Sequence, residues 1–76
     1  MRREPFTMER DVLNVGDAVE IFESRLPRAY YYTVKPAQAM SGNIPLNHPI
    51  SSRKGKVVEK TEDGAAWVLT IEFQED

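Results

Sequence analysis

The stretch Ala66-Trp67-Val68-Leu69-Thr70-Ile71-Glu72-Phe73-Gln74 decides the fold. Trp67, Leu69, Ile71 and Phe73 alternate with Val68, Thr70, Glu72 and Gln74. A period of two sends successive side chains to opposite faces of an extended chain, so this segment predicts a strand with one buried face. Trp67 shares that face and reads as core, where truncation to Ala would cost roughly 3–5 kcal/mol. Upstream lies Gly55-Lys56-Val57-Val58-Glu59-Lys60-Thr61, followed by the turn residues Glu62-Asp63-Gly64. A Gly there supplies the positive φ of a tight hairpin, so the two strands should pair antiparallel. The register has two solutions. A two-residue Asp63-Gly64 turn sets Val58 opposite Leu69 and Lys60 opposite Trp67. A three-residue loop with Gly64 as a bulge sets Val57 opposite Leu69 and Glu59 opposite Trp67, and Thr-Glu-Asp-Gly favours this one.

Working outward, Ala18-Val19-Glu20-Ile21-Phe22-Glu23 is another strand, with Val19 and Ile21 inward and Asn14-Val15-Gly16-Asp17 as the turn that feeds it. The run Tyr30-Tyr31-Tyr32-Thr33-Val34-Lys35 consists of β-formers and predicts a third strand, ended by Pro36. Residues 1–11 carry no strand signal and are expected to be flexible. Residues 36–54 read as one long loop. Ala37-Gln38-Ala39-Met40 suits a single helical turn after Pro36, and Gly42, Asn43, Pro45, Asn47, Pro49, Ser51 and Ser52 are loop chemistry. That composition makes Met40 to Ser52 the segment expected to be most mobile, with Ile44, Leu46 and Ile50 available to pack it down.

Seventy-six residues make one domain, 1–76, with one core. A chain this short buries only about 60% of the surface it exposes unfolded. It contains no Cys and a single His, so neither a disulfide nor a Cys- or His-pair metal site can supplement packing. The expectation is therefore a domain without metal or cofactor. The start Met1-Arg2-Arg3-Glu4-Pro5-Phe6 has no apolar run behind it, and no stretch approaches the ~20 apolar residues of a membrane span. A cytoplasmic protein that does not engage a membrane is expected.

The segments Val15-Gly16-Asp17-Ala18-Val19-Glu20-Ile21 and Lys54-Gly55-Lys56-Val57-Val58-Glu59 resemble small SH3-like barrels. The resemblance is to the KOW type in particular, in which a Gly-Asp-x-Val strand precedes a Gly-x-Val strand and a short hairpin. The match covers roughly a third of the chain. KOW segments hold the two motifs close together, whereas here the Tyr strand and the Pro-rich loop separate them. The resemblance and the strand pattern together imply an all-β fold: a single small SH3-like barrel of about five antiparallel strands with a long irregular loop.

No constellation for catalysis is visible, and the chain is read as a non-enzyme. His48 lies in Asn47-His48-Pro49 with no carboxylate nearby in sequence, and no serine sits in a nucleophile-elbow context. The glycines form neither a phosphate loop nor a dinucleotide fingerprint. Glu62-Asp63 and Glu75-Asp76 read as solvated carboxylates. The charge distribution is more informative than the net charge of −2, because Ser24 to Val58 contains no Asp or Glu while carrying Arg25, Arg28, Lys35, Arg53, Lys54 and Lys56. Within that stretch Tyr30, Tyr31 and Tyr32 cannot all face one core, since Tyr31 points opposite to its neighbours. The candidate binding residues are thus Arg25, Arg28, Tyr30, Tyr31, Tyr32, Lys35, Arg53 and Lys54. The leading expectation is a protein-binding module or small accessory subunit using the Tyr strand and the 36–54 loop. An RNA- or ribosome-associated KOW-like module and a subunit of an enzyme complex are the alternatives.

Overall fold

A computed structural model describes residues 1–75 and contains seven strands and no helix. They are β1 (Arg2–Met8), β2 (Ala18–Arg25), β3 (Ala29–Val34), β4 (Ala39–Ser41), β5 (Ile44–Pro45), β6 (Lys54–Asp63) and β7 (Ala66–Phe73). Every pairing is antiparallel, in the order β2-β6-β7-β1-β4-β3, and β3 returns to β2 to close the ring. The fold is all-β, a small closed antiparallel barrel consistent with the SH3-like class, with six strands in the ring rather than about five. β5 stands outside the ring and pairs with β3 through Tyr30↔Ile44 and Ala29↔Pro45. β4 and β5 both run antiparallel to β3, and Gly42-Asn43 interrupts what would otherwise be one strand.

β1 has no counterpart in the sequence reading. Its inward positions begin with Arg2 and Glu4 and become apolar only at Phe6 and Met8, so the period-two signal is two residues long. Those two are fully buried, and Phe6 lies against Phe73 with ring centres 6.2 Å apart. Residues 36–54 hold β4 and β5 rather than one loop. The single helical turn over Ala37–Met40 does not form. Instead Lys35–Gln38 make a reverse turn with a cis Lys35–Pro36 bond and Ala37 at φ 107°, and Ala39 enters β4 as a core residue.

The β6–β7 hairpin follows neither register read from the sequence. The loop is Gly64-Ala65, with Gly64 at φ 64°, so Asp63 faces Ala66, Glu62 faces Trp67 and Lys60 faces Leu69. Gly at the first of two loop positions is the type II′ pattern, whose twist matches that of the strands. The phase is then reset by a bulge at Val58, after which Val57 faces Ile71 and Gly55 faces Phe73. Val57 is thereby inward, and the side-chain set that the sequence implied for β7 is buried at Leu69, Ile71 and Phe73. Trp67 is different. It is opposite Met8, the last residue of β1, so the hairpin overhangs the ring there and the indole is only half-buried. The Lys60 ammonium sits 5.8 Å from its ring centre and bonds Asp11 and, at 3.0 Å, Asn14, fastening the overhang to the segment that inserts Leu13 into the barrel end. Truncating Trp67 should cost less than truncating Phe73, which is fully buried.

The two glycine motifs meet in space. Gly16 N–H donates to Val57 O at 2.8 Å and Val57 N–H returns to Asp17 O at 2.9 Å. Gly16 has φ 99°, in the region that glycine alone enters without strain. Gly55 is required for a different reason. A Cβ there would lie 2.7 Å from Phe73 Cε1 and 2.8 Å from Ile71 Cγ2, inside the packed core. Gly55→Ala should therefore lower stability by about 1–3 kcal/mol through overpacking. Gly42→Ala, where nothing lies within 4 Å, should be close to neutral. Urea denaturation of the two variants checks this, and equal midpoints would contradict the close approach.

Candidate binding surface

β2 lies between β6 and β3, and this placement decides the electrostatics of the candidate residues. The stretch from Ser24 to Val58 is acid-free in sequence but not in space. Glu20 faces Lys54 across β2–β6 and pairs with Lys35 at 3.2 Å. Glu23 lies 3.5 Å from Arg53. Lys35 and Arg53 are thus each engaged by a carboxylate, whereas among the described residues none comes within 4.0 Å of Arg25, Arg28 or Lys54. Arg25 ends β2 opposite Tyr30, and Arg28 lies in the exposed turn before β3.

The three tyrosines separate by face as the strand geometry requires. Tyr32 is fully buried and Tyr30 packs beside it with ring centres 6.4 Å apart. Tyr31 is on the outer wall opposite Ser24 and is half-buried. The Tyr32 hydroxyl donates to Glu23 Oε2 at 2.7 Å and accepts the Ile50 N–H at 2.9 Å. Burial, reinforced by the neighbouring Glu23 carboxylate, pushes the phenol up to about 12. Arg53 covers this group, with its guanidinium 6.0 Å from the Tyr32 ring centre and a bond to Ile50 O at 2.9 Å. Tyr32 is consequently a structural anchor for residues 48–53 and offers no face to a ligand.

The outer wall carries the feature the sequence reading missed. Cross-strand partners run Phe22–Thr33–Met40–Thr7–Val68–Thr61 around β2, β3, β4, β1, β7 and β6, and none of them is charged. Elsewhere the same wall is ionic, as where Arg3 pairs with Glu72 at 2.8 Å and Glu72 faces Lys56. Phe22 and Met40 are 40% and 48% exposed, and Thr33 between them is only 5% exposed although it points outward. An outward residue so buried has neighbouring side chains lying over it. On the Met40 side the wall opens into a groove of about 730 Å³ lined by Thr7, Glu9, Arg10, Val12 and residues 36–42. On the Phe22 side a smaller concavity of about 520 Å³ is bounded by Glu20, Glu23, Lys35 and Arg53. Phe22 was legible in principle, since it occupies the polar phase of β2 after Ala18 and Glu20. Met40 was not, because β4 itself was unread. Among the described residues no group of three His, Cys, Asp or Glu side chains is placed to hold a metal ion.

The segment expected to be mobile is tied down by the chain ends. Glu75 Oε2 accepts the N–H of Ser52 at 2.7 Å, the N–H of Ser51 at 3.0 Å and the Ser51 hydroxyl at 3.1 Å. Arg2 donates to His48 O and Pro49 O, both at 2.7 Å, and reaches Glu75 Oε1 at 3.3 Å. The Glu75 side chain, expected to be solvated, is 9% exposed; Asp76 is outside the described residues.

Burial alone would push the Glu75 carboxyl up, but the donors of Ser52, Ser51 and Arg2 outweigh it and hold the group below its ordinary 4.5. A carboxyl depressed in the folded state stabilises fully above its unfolded value, and that contribution is lost as pH falls through the folded value. Glu75→Gln should lower stability by on the order of 1–3 kcal/mol at about pH 7, and the gap to the parent protein should close as pH falls below the ordinary carboxylate value of 4.5. Denaturation series at several pH values read this, and a pH-independent gap would contradict the assignment.

No family model matches the chain, and neither a curated protein nor a solved structure matches it.

Proposed function

We propose that the chain is a non-catalytic binding module or small accessory subunit that recruits a protein partner through the outer wall of β2, β3 and β4. The reading rests on the uncharged cross-strand row, where Phe22 and Met40 remain exposed on either side of Thr33 beside the groove lined by Val12 and residues 36–42. Clustered apolar side chains in a polar setting are what a desolvated interface centre uses. Tyr31 extends the wall and brings rigid area with a hydrogen-bonding tip. A chain without cysteine suits the reducing cytoplasm, which we take as its compartment. Among the described residues no helix is long and apolar enough to cross a membrane.

A KOW-like RNA module would need a run of uncommitted cations. Lys35 and Arg53 are engaged by Glu20 and Glu23, which also place negative charge along any phosphate path beside them. The protein-binding reading is tested by capture on the immobilised full chain, followed by reconstitution with the purified captured protein. Phe22→Asp combined with Met40→Asp should weaken that complex roughly tenfold or more at a temperature well below the variant's own melting transition. Glu62→Lys, on the distal hairpin, should leave affinity unchanged. An affinity indifferent to the double substitution would overturn the reading, and a steep loss with added salt would point to phosphate contacts instead.

A further inference from the structure

We draw no further inference here: the strongest candidate, the uncharged Phe22–Thr33–Met40 row on the outer wall of β2, β3 and β4 with the groove beside it, belongs to the surface already described, and nothing in the structure shows what covers it.

Discussion

β2 has to serve two neighbours. Its first residues, Ala18 to Glu20, pair with β6, and its remainder, Ile21 to Arg25, pairs with β3. At the changeover Ile21 N–H donates to Arg53 O at 2.8 Å and Lys35 N–H donates to Glu20 O at 2.9 Å, and these bonds shut the ring. A chain with no disulfide depends on that closure, because an open sheet of this size would leave an unpaired edge at each end and one face of its core wet. Closure brings Phe6, Tyr32, Val57, Leu69 and Phe73 into one fully buried cluster. It also requires β6 to pass close over Phe73, which only a residue without Cβ allows at position 55.

The same constraint shapes the surface. Threading β2 between β6 and β3 sets Glu20 and Glu23 against Lys35 and Arg53, so part of the charge asymmetry visible along the chain is neutralised in space. Arg25, Arg28, Lys54 and Lys56 have no carboxylate within 4.0 Å among the described residues. The register of the closed ring then aligns Phe22, Thr33 and Met40 into one uncharged row. Candidate function therefore arises from strand order rather than from any contiguous motif.

The parts of the fold legible in the sequence were those with long alternation or a dense run of β-formers. β7 and β2 were readable from period two, β3 from its tyrosines, and β6 from Val57 and Val58 between two glycines. β1 was not, since Arg2 and Glu4 occupy its inward phase and serve the chain-end clamp rather than the core. β4 and β5 were hidden by their length and by Gly42 and Pro45, residues that are turn chemistry unless a neighbour strand pairs with them. The hairpin register turned on a loop at Gly64-Ala65 and a bulge at Val58, and local turn preference does not specify either. Of the candidate site, Tyr31, Arg25 and Arg28 were readable as surface. The anchoring role of Tyr32 depends on Glu23 and Ile50, which are distant in sequence, and the role of Glu75 depends on Ser51 and Ser52.

The closure of the ring at β2 is best tested by residue-resolved amide hydrogen exchange under conditions where opening is rate-independent. Ile21 and Lys35, whose N–H groups make the closing bonds, and Ile50, bonded to the Tyr32 hydroxyl, should open with the same free energy and denaturant dependence as Leu69, which is paired on both sides. That result would mean that the barrel and the wall it carries unfold as one unit. Exchange at Ile21 and Lys35 roughly a hundredfold faster than at Leu69, and insensitive to denaturant, would show that β2 separates locally from its neighbours and would contradict the account.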